Sequence, residues 1–149
     1  MLNLQISGLQ LALIKVKNRQ EFDKAIEVVF KYDKKILIEE FINGREIECS
    51  VLGNYNPIAS RPGEIILNSE FYSYEAKYVD ENGAIFDNPA KLPESIIKKI
   101  QDYSVEVFKI LCCQGMARVD FFLKDNMEII INELNTIPGF TNISIFHQF

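Results

Sequence analysis

Two alternating runs, "MARVDFFLK" from Met116 to Lys124 and "MEIIINELN" from Met127 to Asn135, flank Asp125-Asn126 and constrain the chain more than any other feature. Side chains two apart in a strand share a face, so each run presents one apolar and one polar edge. If Asp125-Asn126 forms a two-residue hairpin turn, Lys124 faces Met127, Arg118 faces Glu133 and Asp120 faces Ile131. Arg118, Asp120, Ile131, Glu133 and Asn135 then share one face, and Val119, Phe121, Leu123, Ile130 and Leu134 fill the other. Asp120 and Glu133 become diagonal neighbours, about 7 to 8 Å apart at the backbone, within reach of a common cation. The second strand runs straight into "TIPGF", a proline-glycine break directly after the two oxygen ligands Glu133 and Asn135.

The rest of the chain supplies the elements such a hairpin packs with. "LALIKVK" reads as a strand, and Asn18 with Glu21 three residues on is a capping-box signal for a helix from about Arg19 to Tyr32. Phe22, Ala25, Ile26, Val29 and Phe30 fall on one side of it. "KKILIEEFI" and "REIECSVLG" are strand-like runs around Asn43-Gly44, a hairpin signal whose pairing puts Glu39, Phe41, Glu46 and Glu48 on one face. "NPIASRPGEIIL" holds further strand, with Pro62-Gly63 as a turn or bulge. Periodicity is lost from Asn68 to Leu92, a length that in a compact domain marks a functional or disordered loop. Pro93 opens a second helix, with Ile96, Ile97, Ile100, Tyr103, Val107, Phe108 and Leu111 as its buried stripe and Gly115 as its end.

At 149 residues and 48% hydrophobic content the chain holds one domain with a real core. Sixteen basic against 21 acidic residues give a net charge of −5, which argues against nucleic acid or an anionic membrane as a partner. Three cysteines, Cys49, Cys112 and Cys113, make neither a metal spacing nor a disulfide framework, so a reduced, cytoplasmic setting is expected. The start "MLNLQISGLQLALIKVK" lacks the marks of a signal peptide, and its apolar run is too short to span a bilayer.

The polar face of the 116–135 hairpin admits three readings. One is a solvated face with an ordinary Arg118–Glu133 ion pair. Another is a hydrolase with two carboxyls as acid and base, against which Arg118 would hold both ionised. The third is a hard-cation site: an all-oxygen donor set suits Mg²⁺, which uses few protein carboxylates and fills its shell with water and phosphate oxygens.

"ILIEEFINGREIECSVLG", "FYSYEAKY", "GMARVDFFL" and "INELNTIPGFTNIS", in this order and spacing, resemble the D-alanine:D-alanine ligase family of the ATP-grasp superfamily, over about Ile14 to Ser144. The resemblance implies an α+β ATP-grasp fold, a largely antiparallel sheet with flanking helices. It implies ATP and Mg²⁺ or Mn²⁺ as cofactors, D-alanine as substrate, and ligation of two D-alanines through an acyl phosphate for peptidoglycan. By that resemblance Asp120, Glu133 and Asn135 are the metal ligands, Arg118 contacts the phosphoryl group, Gly139 offers a backbone N–H at the same intermediate, and Ser144 holds the carboxylate of the second substrate. Glu39 and Glu46 take the adenine amino group and the ribose, backbone groups at Glu40 and Ile42 read the purine edge, Phe71 stacks on it, Lys77 binds phosphate, and Tyr78 is a lid tyrosine.

Two departures shape the expectation. The place of the family's glycine- and serine-rich phosphate loop is taken by "ISGLQLAL", with Leu9 and Gln10 at small-residue positions and Asn3 where an upstream lysine is expected. The N-terminal D-alanine-binding domain and the terminal helices have no counterpart, so residues 1–149 are expected to be one partial ATP-grasp domain. The alternatives are a noncatalytic ATP/Mg²⁺ binder and part of a D-alanine:D-serine or D-lactate ligase; homo-oligomer formation is left open.

Overall fold

The computed structural model describes residues 4–8, 12–67 and 84–138. Two compact units contain them: unit 1 is Met1–Ile42 with Leu67–Ala84, and unit 2 is Asn43–Ile66 with Ile85–Phe149.

In unit 1, β1 (Leu4–Gly8) pairs antiparallel with β2 (Ala12–Val16) on one side and β3 (Leu37–Glu40) on the other. Helix α1 (Arg19–Val29) begins as the sequence indicates. The Asn18 Oδ1 accepts from the Glu21 N–H at 2.9 Å, and the Glu21 carboxylate turns back to accept from the Lys17 N–H at 2.7 Å. This reciprocal cap satisfies donors that the first helical turn leaves open. Val16, Ala25 and Val29 form the buried cluster, with Ile14, Phe22, Ile26 and Ile36 against it. Phe30 lies past the helix end and is exposed, so the expected stripe stops at Val29.

Unit 2 is a six-stranded sheet, every described pairing antiparallel, in the order β7-β6-β4-β8-β9 with β5 also on β4. Its strands are β4 (Arg45–Gly53), β5 (Ile58–Ala59), β6 (Gly63–Leu67), β7 (Ala84–Asp87), β8 (Gly115–Leu123) and β9 (Ile129–Asn135). Helix α2 (Glu94–Ile110) covers one face. The core joins Ile47, Cys49 and Val51 of β4 and Ala117, Val119, Phe121 and Leu123 of β8 to Ile96, Ile100 and Phe108 of α2. Both strands place every second residue there, the period-2 signature of a half-buried strand.

Three sequence expectations change. Asn43-Gly44 is not a hairpin turn: β3 pairs with β1, and β4 pairs with β5, β6 and β8. Gly44 is needed for close approach, since a Cβ there would stand 2.9 Å from the Leu123 carbonyl oxygen. Pro62-Gly63 does lie at a bulge: Ser60 bonds Ser50 and Gly63 pairs with Glu48, one residue more than β4 uses, and a Cβ at Gly63 would collide with the Phe86 ring. The α2 stripe is Ile96, Ile97, Ile100, Ser104 and Phe108. Tyr103 and Leu111 are exposed, and Ser104 fits because its hydroxyl donates to the Ile100 carbonyl at 2.7 Å. The helix closes at Cys112, which takes the left-handed conformation (φ 53°), and not at Gly115, the first residue of β8.

Phe108 is fully buried, so Phe108→Ala should cost about 3–5 kcal/mol, read as a lowered urea midpoint. Burial pushes the Cys49 thiol up to about 11, despite opposing hydrogen bonds from Ser104 and Ser60. A raised folded value means that the folded state keeps its proton while the unfolded thiol, near 8.5, ionises. Stability should therefore fall as pH rises from about 8.5 towards 11, and the difference between wild type and Cys49→Ala across that window measures it.

Candidate active-site face of unit 2

The turn after β8 decides which residues meet. Asp125 and Asn126 carry no glycine, and a two-residue type I′ turn would need positive φ at both. A three-residue loop forms instead. The Met127 N–H donates to the Lys124 carbonyl at 2.9 Å, Lys124 N–H donates to the Glu128 carbonyl at 3.0 Å, and Met127 takes the left-handed conformation at φ 63°. This shifts the register by one, so Leu123 pairs with Ile129. A bulge then shifts it by one more. Phe121 pairs with Ile131, while Asp120 pairs with Glu133 and Arg118 with Asn135.

Two single-residue shifts restore the parity, so the face assignment of Glu133 and Asn135 survives although their partners do not. Glu133 lies directly across from Asp120 instead of Arg118. Such pairs bring Cβ atoms to about 4.5–5.5 Å, closer than the expected diagonal. Between the loop and the bulge the parity is reversed, so Ile129 packs on the core and the expected Ile130 is only half-buried, while beyond the bulge Leu134 packs on the core as expected.

Strand β4 extends the same face. Glu48 pairs with Asp120, and Ser50 with Arg118. One row across the sheet is therefore Glu48, Asp120, Glu133, and the next is Ser50, Arg118, Asn135. The Arg118 guanidinium donates to both Asp120 oxygens, Nε to Oδ1 and Nη2 to Oδ2, each at 2.7 Å, and lies 3.3 Å from the Glu48 Oε1. These side chains are 23%, 15% and 11% exposed for Arg118, Asp120 and Glu48. Burial by itself lowers the Arg118 pKa. The hydrogen bond and charge of Asp120, with the charges of Glu48 and Glu133, outweigh that and hold it above its ordinary value. Its charge is thus fixed at every accessible pH, as expected of a cation that holds an anion.

Asp120, Glu133 and Asn135 make an oxygen-only set suited to a hard cation. Each Asp120 oxygen keeps a second lone pair beyond its bond to Arg118, and the Asn135 Oδ1, which accepts from the Ile137 N–H at 3.0 Å, keeps one as well. Among the described residues no three His, Cys, Asp or Glu side chains are grouped to hold a metal. The three residues offer two carboxylates and an amide, and a hard cation held there would need outside oxygens to fill its shell.

The candidate nucleotide residues divide between the units. Glu39 and Glu40 are exposed on β3, and Ile42 is half-buried at the end of unit 1. There the Lys15 ammonium sits 3.8 Å over the Phe41 ring. Glu46 is half-buried on β4, opposite Phe122 and Ile65. The β3–β4 pairing that was to put Glu39 and Phe41 on one face with Glu46 and Glu48 is absent among the described residues, although Glu46 and Glu48 still share a face of β4. Phe71, Lys77, Tyr78, Gly139 and Ser144 lie outside the described residues.

Residues 6–149 match the family described as D-ala D-ala ligase C-terminus. The chain belongs to the D-alanine–D-alanine ligase family. It is 55% identical over 139 residues to a D-alanine–D-alanine ligase of Oceanobacillus iheyensis, an alignment covering 93% of this chain and 38% of that one. Among solved structures it resembles the VanG D-Ala:D-Ser ligase from Enterococcus faecalis, with a TM-score of 0.80 and 40% identity over 93% of this chain and 41% of that one. It also resembles the D-alanine–D-alanine ligase from Bacillus anthracis complexed with ATP, with a TM-score of 0.74 and 30% identity over 96% of this chain and 45% of that one. The chain thus spans less than half the length of these relatives, and its antiparallel, helix-flanked fold is that of the family's ATP-grasp portion.

Sequence reading set Glu48 on the polar face without a role and passed over Ser50. Glu48 carried a signal, because it alternates with Glu46 in a strand whose other face holds Ile47, Cys49 and Val51. Ser50 carried none: its Oγ is buried with no hydrogen-bond partner among the described residues, and only the β4–β8 register places it beside Arg118. Removing the cation should leave two carboxylates buried together, so Arg118→Met is expected to destabilise the chain by about 3 kcal/mol. Urea denaturation of Arg118→Met and of the double variant with Glu48→Gln checks this, with the double variant recovering part of the loss.

Proposed function

We propose that this chain is the ATP-grasp portion of a D-alanine–D-alanine ligase, an ATP- and Mg²⁺-dependent enzyme that joins two D-alanines for peptidoglycan in a reduced, cytoplasmic compartment. The observation that carries the reading is the pairing of Asp120 with Glu133 beside Arg118 on one polar sheet face. Asp120, Glu133 and Asn135 hold the cation, which when bound neutralises phosphate oxygens. Arg118, fixed by Asp120 and Glu48, presents its remaining donor edge to the transferred phosphoryl group, a preorganised charge of the kind that stabilises a developing anion. Glu39 and Glu46, with backbone groups at Glu40 and Ile42 and the Phe71 ring, hold the adenosine. Lys77 takes a phosphate, Tyr78 closes the lid, Gly139 donates an N–H to the intermediate, and Ser144 receives the second substrate's carboxylate. Residues 1–149 then form one partial ATP-grasp domain of two units, and homo-oligomer formation belongs to the same proposal.

A second reading, nucleotide and metal binding without ligation, is favoured by one observation. Leu9 and Gln10 stand where the resemblance expects small residues over the ATP phosphates, and bulky side chains obstruct the close backbone approach on which such a loop relies. Each lost charge-assisted contact weakens binding by about 1.5–3 kcal/mol. Ligation is hit harder, because orientation of reactants supplies about 7–11 kcal/mol of barrier reduction.

Calorimetric titration of the purified chain with ATP is expected to show weak binding that requires Mg²⁺ or Mn²⁺ and disappears in Glu133→Gln. Binding indifferent to the cation, or unchanged in Glu133→Gln, would sink the site assignment. Phosphate release stimulated by D-alanine separates ligase from binder. Its absence with cation-dependent nucleotide binding intact selects the second reading, and D-serine in place of D-alanine tests the second substrate.

A further inference from the structure

Away from the polar sheet face, the C-terminal end of α2 carries two adjacent thiols. Cys112 is exposed and Cys113 is half-buried against the core. Adjacent residues in a regular strand would direct their side chains to opposite sides. Here Cys112 is left-handed at φ 53°, and the chain is still leaving the helix. Its N–H donates to the Lys109 carbonyl and that of Cys113 to the Phe108 carbonyl, both at 3.0 Å. Each thiol lies 3.9 Å from the carbonyl oxygen two residues before it, Cys112 from Ile110 and Cys113 from Leu111. Each sulfur thus lies near a carbonyl oxygen at the end of α2. Both residues also line one hollow of about 400 Å³, whose wall includes Tyr55 and Phe108, a volume within the range of small-molecule sites. The third thiol, Cys49, is fully buried and held protonated, its value pushed up to about 11.

We infer that Cys112 and Cys113 form a paired-thiol site for a trivalent arsenic centre bearing one organic group, seated in the Tyr55–Phe108 hollow. Two observations carry this: the adjacency of the two cysteines where the chain leaves α2 through the left-handed Cys112, and the one hollow that both residues line with Tyr55 and Phe108. With phenylarsine oxide as the probe, two S–H bonds and the arsenic–oxygen bonds break, two S–As bonds form, and one water leaves. Arsenic stays trivalent throughout, so no oxidant or reductant is required. The ring closes through the Cys112–Cys113 backbone, and the phenyl group enters the hollow. The site is independent of the ligase reading, since none of its residues belongs to the polar face.

The test is intact-mass analysis of the whole chain, kept reduced with a phosphine and treated with stoichiometric phenylarsine oxide. One phenylarsenic group per chain, gained with loss of two hydrogens, is expected. It should resist excess monothiol, come off with a dithiol, persist in Cys49→Ala, and be lost in both Cys112→Ser and Cys113→Ser. Native alkylation of the unmutated chain supplies a second readout that does not depend on any variant folding. Before treatment Cys112 and Cys113 should both label, and after it neither should, with Cys49 labelling only after unfolding. An adduct that survives loss of either Cys112 or Cys113, that a monothiol removes, that requires Cys49, or that never forms would overturn the inference.

Discussion

The nine-residue antiparallel pairing of β4 with β8, from Arg45 opposite Leu123 to Gly53 opposite Gly115, is the constraint on which unit 2 depends. It has two consequences because strand side chains alternate. On one face it brings Ile47, Cys49 and Val51 against Phe121, Val119 and Ala117, the apolar surface that α2 covers. On the other it sets Glu48 against Asp120 and Ser50 against Arg118. A one-residue slip of β8 would drive Arg118 and Asp120 into the core, so burial of the apolar face holds the polar face in register.

That polar face would be a liability in an ordinary domain. Charges removed from water cost several kcal/mol each unless paired, and a buried ion pair seldom repays the loss in full. Arg118 reduces the loss by meeting Asp120 through two parallel hydrogen bonds and lying against Glu48 as well. The row holds three carboxylates, Glu48, Asp120 and Glu133, beside the Arg118 guanidinium. A ladder with fixed spacing keeps such side chains close on one face.

Much of this was legible beforehand. The capping box at Asn18 and Glu21, the span of β4, and the Ile96-Ile97-Ile100-Phe108 stripe all follow from local chemistry and periodicity. Where the reading went astray, a distant contact had overridden a local signal. Asn43-Gly44 has the composition of a hairpin turn, but Gly44 is required by the Leu123 carbonyl against which it packs. Asp125-Asn126 looks like a two-residue turn, yet Met127 takes the left-handed position. The bulge in β9 has no mark in "IIINELN", because one extra residue in a strand changes no composition.

The sequence by itself determined which residue types stand at the site and the family to which they belong, since Arg118, Asp120, Glu133 and Asn135 sit in motifs whose order and spacing can be read along the chain. It also determined that Arg118 shares a face with Asp120, and Glu133 with Asn135, because alternation is a property of a single strand. Which of them touch was decided only by tertiary structure. The loop at Met127 and the bulge beyond Phe121 each move the register by one residue, and together they carry Glu133 from Arg118 to Asp120. The β4–β8 ladder then adds Glu48 from a segment about 70 residues away. Registers between strands are set by packing of the buried face and by turn geometry, which involve residues far apart in the chain, and no local pattern encodes them.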